Sequence, residues 1–359
     1  MGRINIESEL RQIWDSLEGT NKMRACLFNL IFYTKKGERK EYLDGVAKKV
    51  VERFPSRIIY ITLDPSEGGE ELGASVSIMT GEEGACTIVC DVISIDANGK
   101  GASKVPFLVL PHILPDLPVY LIYADDPARD DPIAKKLERL ATRTIFDSET
   151  AECLPAFAQA AMRHKEESQC DIADLNWARI ESWRSLIAST FRKGDMLASL
   201  RQVERVSITY NAATNGSVHT PPLQSIYLQG WLASRLGWHF ERAEGAMTFH
   251  YGTEHGGACI ELKGEESSSV GPGRLLAIEI TSRDETYHTF RRDLDMPTHV
   301  EITHSSPQLC SMPVRVIVDK DEVGASLVRE ICHKGTSRHY LDVLDMLTQL
   351  PPEIVCHSS

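Results

Sequence analysis

The stretch Ala25-Cys26-Leu27-Phe28-Asn29-Leu30-Ile31-Phe32-Tyr33 decides the fold class. Only Asn29 interrupts its apolar character, so it lacks the polar alternation of a strand with one wet face. Such a run reads as a strand covered on both sides, the situation in a parallel sheet with helices packed on it. Reading outward, a helical pattern spans 39–53 and a second buried strand 57–63. Segments 73–79 and 86–95 read as strands, and 102–114 as a helix in spite of Pro106 and Pro111. A strand at 118–123, a helix at 131–140, a short strand at 143–146 and a helix at 150–164 follow. Strands alternating with helices predict an α/β domain whose mixed or mostly parallel sheet carries packed helices.

The polar run 164–169 is the best boundary, which gives an N-terminal domain at 1–170 and a C-terminal domain at 171–359. The second domain begins with a helix whose N-cap is Asp174. Its texture differs from the first. A helix opened by Pro222 ends at Gly237, and short alternating segments at 246–252, 258–263, 274–281, 286–292, 298–303 and 313–318 predict an antiparallel meander. Two helices, near 321–333 and 337–350, complete an α+β domain.

A chain of 359 residues exceeds what one core normally fills, in keeping with two domains. Its formal charge of −12 opposes binding to nucleic acid, whose phosphates need clustered Lys and Arg. It also opposes an anionic membrane surface, and it suits a partner with a basic face. The nine cysteines are scattered and no secretory pattern precedes them. The 25–33 run is too short to span a membrane. A cytoplasmic protein with mostly free thiols is the expectation.

Motifs for chemistry are missing. Gly99-Lys100-Gly101 holds the first half of a dinucleotide fingerprint, but Lys104 stands where its third glycine belongs, so a turn is the better reading. No phosphate-binding Gly-x4-Gly-Lys run and no Gly-x-Ser-x-Gly elbow occurs. His250, Glu254, His255 and Cys259 are competent metal ligands, yet their spacing matches no zinc pattern and a hairpin is the simpler reading. Strand alternation places Cys86 and Cys90 on one face about 13 Å apart, too far to bridge. No catalytic residue, metal or cofactor is therefore assigned.

One block stands out. Asp174-Leu175-Asn176-Trp177-Ala178-Arg179-Ile180-Glu181-Ser182-Trp183-Arg184 holds two of the five tryptophans. Trp and Arg dominate interface hot spots, and a tryptophan equally serves to lock a core. Asp174, Trp177, Arg179, Trp183, Arg184 and Trp231 are thus candidates for a partner-binding surface or a domain junction. Arg57 and Asp147, at strand ends, are candidates for a small-anion site.

The Asp174–Arg184 block, continued by Ser185-Leu186-Ile187-Ala188, resembles the signature of the glucose-6-phosphate dehydrogenase assembly protein (OpcA) family. Further blocks agree in order: Phe54-Pro55-Ser56-Arg57, Leu114-Pro115-Asp116-Leu117-Pro118-Val119, Asp131-Pro132-Ile133, Arg143-Thr144-Ile145-Phe146-Asp147, and Gln229-Gly230-Trp231-Leu232-Ala233-Ser234-Arg235-Leu236-Gly237-Trp238. Phe54 stands where the family usually has His. The resemblance implies a non-enzymatic partner of glucose-6-phosphate dehydrogenase that favours the assembly or active state of that enzyme, at the entry to the NADPH-producing oxidative pentose phosphate pathway. The alternative is an enzyme or sensor that binds a sugar phosphate or nucleotide in the α/β domain.

Overall fold

The structure is a computed structural model and describes residues 6–17, 22–37, 39–64, 69–83, 86–192, 194–213, 222–245, 247–318 and 324–352. The chain divides into two compact units. The first comprises Met1–Ala151, Ala160–Leu175 and Val323–Thr336; the second comprises Glu152–Gln159, Asn176–Glu322 and Ser337–Ser359.

In the first unit, helix α1 (Ile6–Ser16) and short strand β1 (Lys22–Arg24) lead into β2 (Phe28–Lys35), the heart of the apolar run. Every residue of β2 but Lys35 is buried, as a strand covered on both faces requires. Then come α2 (Lys40–Val51), β3 (Ser56–Asp64), β4 (Leu72–Glu83), β5 (Cys86–Asn98), α3 (Val105–Val109), β6 (Val119–Ala124), α4 (Pro132–Glu138), β7 (Arg143–Phe146), α5 (Leu154–Ser168, whose residues up to Gln159 count with the second unit) and β8 (Asp171–Asp174). The 102–114 region is helical, as expected, but in three short turns. Pro106 and Pro111 each sit in the first positions of a turn, where a missing N–H costs nothing.

The sheet runs β5-β3-β2-β6-β7-β8, all parallel, with β1 parallel and β4 antiparallel to β5. Numbered by appearance, the six parallel strands stand in the order 3-2-1-4-5-6, that of the doubly wound dinucleotide-binding architecture. Its switch point lies between β2 and β6. Helix α2 buries Leu43, Val46, Ala47 and Val50 at helical spacing against Phe28, Leu30 and Phe32.

Helix α10 (Ala325–Cys332), expected in the C-terminal domain, belongs to this first unit. Its Leu327, Val328 and Ile331 join the α2 side of the core. Gly324 begins the helix at φ 81°, and a Cβ there would lie 2.8 Å from that of Lys49, so the close approach needs glycine.

The second unit holds α6 (Leu175–Arg179), α7 (Glu181–Thr190), α8 (Gly194–Arg201), β9 (Val203–Asn211), α9 (Leu223–Leu236), β10 (His239–Glu244), β11 (Thr248–Thr253), β12 (Gly256–Glu265), β13 (Leu275–Ser282), β14 (Tyr287–Arg292), β15 (His299–Ser305), β16 (Val314–Ile317) and α11 (Arg338–Thr348). The expected antiparallel meander is present as two runs, β10-β11-β12 and β13-β14-β15-β16. Strand β9, which the sequence reading missed, separates them, parallel to β12 and antiparallel to β13. Helix α9 is buried from Leu223 to Ala233 and packs on α11, with Val343 beside Gly230.

Candidate functional site

The carboxyl ends of the parallel strands in the first unit carry an ordered set of charges. Asp64 ends β3, Asp125 follows β6, and Asp147 follows β7. The last residue of β2 and the loop from it into α2 supply a cation to each. Lys36 Nζ lies 2.6 Å from Asp64, Lys35 pairs with Asp125, and Arg39 pairs with Asp147 and also lies 3.3 Å from Glu149. Asp147 is fully buried and accepts from the Glu149 N–H. Burial alone would lower the pKa of Arg39; the charges of Asp147 and Glu149 outweigh it and hold the guanidinium above its ordinary value. Nearby, Tyr33 donates to Asp131, which caps α4 by accepting from the backbone N–H groups of Ile133 and Ala134. Burial, reinforced by Asp131, raises the Tyr33 pKa, so the phenol stays a donor.

On one flank of this edge lies a cleft of about 730 Å³ between the ends of β2, β3 and β5 and the start of β4. Lys36, Lys40, Asp64, Asp96 and Asn98 are among its lining residues. Its far wall is fixed by the backbone: Asn98 Oδ1 accepts from Glu71 N at 2.8 Å, and Lys100 N donates to Gly69 O at 3.1 Å. Gly99, at φ 45°, lies so close that a Cβ would come within 2.0 Å of Gly69 O.

The residues singled out by sequence fall in three places. Arg57 and Asp147 do not meet. Arg57 is at the amino end of β3, buried and paired with Asp91 at 2.6 Å, while Asp147 lies beyond the carboxyl end of β7. Arg57 also donates to the His112 carbonyl, and Arg24 and Trp14 share Asp91 with it, so its charge is already matched. Asp174 is the last residue of β8, in the first unit. Its carboxylate accepts from Ser148 N at 3.0 Å and Ser148 Oγ at 3.1 Å, and the helix starts directly after it.

The expected single helix beyond Asp174 is two, broken at Ile180. Trp177, Trp183 and Trp231 are buried, at 3%, 2% and 6% exposure, so their indoles pack inside the fold. The Arg184 guanidinium lies over the Trp177 ring, 3.2 Å from its centroid, and donates to the Trp177 carbonyl. Tyr340 of α11 packs on Trp177 at 5.8 Å, and Arg292 of β14 lies 5.4 Å over Trp183. Arg179, half-buried, donates to Asn176 Oδ1.

His250 and Cys259 are register partners on β11 and β12, whereas Glu254 and His255 point outward in the turn. Among the described residues no group of three or more potential ligands gathers. Cys26, Cys90, Cys170, Cys259, Cys310 and Cys332 are free thiols, Cys153 is disulfide-bonded, and the Cys86 side chain lies outside the described residues. Among those residues no helix is long and apolar enough to cross a membrane.

Residues 47–163 match the glucose-6-phosphate dehydrogenase subunit N-terminal domain, and residues 170–344 match the corresponding C-terminal domain, both of the OpcA family. The chain belongs to the glucose-6-phosphate dehydrogenase assembly protein (OpcA) family. The OpcA of Nostoc punctiforme, described as a proposed OxPP cycle protein, is 26% identical over 250 residues, covering 66% of this chain and 52% of that protein. The OpcA of Synechococcus elongatus is 27% identical over 248 residues, covering 66% and 54%. The chain spans about half the length of these curated relatives.

Two solved structures share the fold at 10% identity. UDP-N-acetylglucosamine 3-dehydrogenase GnnA from Acidithiobacillus ferrooxidans has a TM-score of 0.51, covering 93% of this chain and 98% of its own. A proposed NADPH-dependent oxidoreductase from Desulfitobacterium hafniense has the same score, covering 89% and 94%. At that identity the likeness concerns the fold alone. The doubly wound order implies a dinucleotide, and the residues of this OpcA-family chain do not fit one. The first βα turn of such folds carries glycines so that pyrophosphate can approach the backbone. Here that turn reads Thr34-Lys35-Lys36-Gly37-Glu38-Arg39-Lys40, and three of its side chains reach across to the flanking carboxylates.

These ion pairs escaped the sequence reading. Their signal was present: a basic cluster directly after the most apolar strand, and an aspartate at the end of each neighbouring strand. The strand order that brings them together is long-range and leaves no local trace.

Proposed function

We propose that this OpcA-family chain binds glucose-6-phosphate dehydrogenase and favours that enzyme's active oligomer, without turnover of its own. The observation that carries the non-catalytic reading is the set of three ion pairs, Lys35–Asp125, Lys36–Asp64 and Arg39–Asp147, standing where a dinucleotide enzyme presents glycine backbone. The partner follows from the family description, which names the dehydrogenase over both matched regions. A protein shifts another's equilibrium by its differential affinity for the two states, and a tenfold preference corresponds to about 1.4 kcal/mol. The charge of −12 suits a basic face on the enzyme, so association weakens as salt rises.

The buried indoles of Trp177, Trp183 and Trp231 set the shape of the second unit, and the half-buried Arg179 and Arg184 are the proposed contact candidates of that block. In this reading the protein works in the cytoplasm and supports NADPH supply. The test is a titration of purified dehydrogenase with the chain. Initial rate at limiting enzyme rises to a plateau and the rise diminishes in high salt. A flat titration, or turnover of sugar phosphate by the chain alone, contradicts the proposal.

A further inference from the structure

We propose that the cleft at the ends of β2, β3 and β5 binds a phosphate linked to a vicinal diol, as found in a free sugar phosphate or in the ribose phosphate of a nucleotide. A dinucleotide crevice has two halves about the switch point. In this chain Lys35–Asp125 and Arg39–Asp147 cross to the β6 and β7 side. The β2–β3–β5 side keeps an open volume of about 730 Å³. That volume falls within the roughly 300–1,000 Å³ common to small-ligand sites. It is the side on which this architecture holds ribose and phosphate.

The lining offers both halves of the required chemistry. Lys36 and Lys40 are cations, and Lys40 is the first residue of the twelve-residue helix α2, whose amino end favours an anion. Asp64, Asp96, Glu70 and Glu71 supply carboxylate acceptors for hydroxyl groups, and the Asn98 carboxamide, whose Oδ1 already accepts from Glu71 N, borders them. Asp64 ends the second parallel strand, the region from which an acid reads ribose hydroxyls in this architecture. The 2.6 Å approach of Lys36 to Asp64 sets a cation beside a carboxylate in one wall. A purely apolar ligand would desolvate the Lys36–Asp64 pair together with Lys40 and Asp96, and a bare anion would face the carboxylates of Asp64, Glu70, Glu71 and Asp96.

The site stands on its own geometry, and its test needs no dehydrogenase, so its failure is separate from failure of the association proposed above. The intact chain is titrated calorimetrically with ribose 5-phosphate, adenosine 5′-monophosphate, ribose and inorganic phosphate. Ribose 5-phosphate or the nucleotide saturates, and whichever binds tighter identifies the source. Lys40→Glu and Asp96→Ala each weaken that ligand about tenfold or more, the loss expected for a charge-assisted hydrogen bond. Both positions are exposed, so the unliganded melting curves stay unchanged. The proposal is overturned if neither phosphorylated ligand saturates at millimolar concentration, if inorganic phosphate alone binds as tightly, or if both variants bind like the parent.

Discussion

Arg143 and Glu330, 187 positions apart in the chain, meet at 2.8 Å in the interior of the first unit, each about 5% exposed or less. The guanidinium also donates to the backbone carbonyls of Glu330 and His333. Asp171 and Thr336 add a second tie, for Thr336 N donates to the Asp171 carboxylate at 3.0 Å and Ile172 N donates to Thr336 Oγ1 at 2.9 Å. The amino ends of β7 and β8 thereby hold α10 and the loop that follows it.

Breaking a buried pair leaves the other charge without compensation. Glu330→Ala is expected to destabilise the protein by about 3–5 kcal/mol. Urea denaturation followed by circular dichroism measures it. A loss under about 1 kcal/mol, the size of a surface pair, would contradict the buried geometry.

The tryptophan block makes a second prediction. Trp183→Ala removes a buried indole and is expected to cost about 3–5 kcal/mol. Arg184→Glu loses the stack on Trp177 and puts an anion over the ring face, so it lowers the melting temperature as well. Arg179→Glu serves as the contrast, because Arg179 is half-buried and donates to Asn176, three residues away in the same segment. It is expected to weaken dehydrogenase binding with the melt unchanged. Thermal melts beside binding titrations separate the two; an unaltered melt for Trp183→Ala would contradict the packing role.

A third concerns pH. His288 on β14 is 1% exposed, stacks on His304 of β15 at 4.5 Å and lies 4.5 Å from Phe191. Neither of its ring nitrogens has a hydrogen-bond partner among the described residues. Burial, then the His304 charge, lowers its pKa from 6.5 to about 4, with Asp284 opposing. The folded pKa lies below the unfolded one, so the neutral ring's contribution is full above about pH 6.5. It is lost progressively as pH falls toward 4, because the unfolded state takes up the proton first. The loss amounts to roughly 3 kcal/mol at about 1.4 kcal/mol per pH unit. Denaturation midpoints between pH 7 and 4 should fall more steeply in the parent than in His288→Phe; parallel curves would contradict the assignment.

Thiol reactivity is a fourth. Burial pushes the Cys90 thiol up to about 11, against a backbone N–H that Ser56 donates at 3.3 Å. Burial likewise raises Cys26. Only thiolates alkylate readily. Iodoacetamide at pH 8, read by mass spectrometry, should label exposed Cys310 and Cys332 first and Cys90 only on unfolding. Equal rates would contradict the burial.

Local pattern made much of this fold legible. The nearly continuous apolar run of β2 announced a covered strand, and the helical pattern over 39–53 became α2, which buries residues at 43-46-47-50 spacing. Strand β9 was missed although Val206, Ile208 and Tyr210 alternate with Ser207 and Thr209; that these two polar residues are buried as well reflects its central place between β12 and β13, which is long-range. Helix α10 was legible as a helix, but its place in the first unit depends on Arg143, far away in sequence. The tryptophans declared their weight, not which way they faced. The charges at the sheet edge were all visible as residues, and only the strand order turned Lys36 toward Asp64 and Arg39 toward Asp147.

The most direct test of the account is sedimentation velocity of purified glucose-6-phosphate dehydrogenase, at a concentration where its oligomer partly dissociates, with and without an equimolar amount of this chain. Association of the two proteins is expected to give a faster-sedimenting species containing both, a larger oligomer fraction, and reversal of both in high salt. Two independent boundaries with an unchanged oligomer distribution would contradict it.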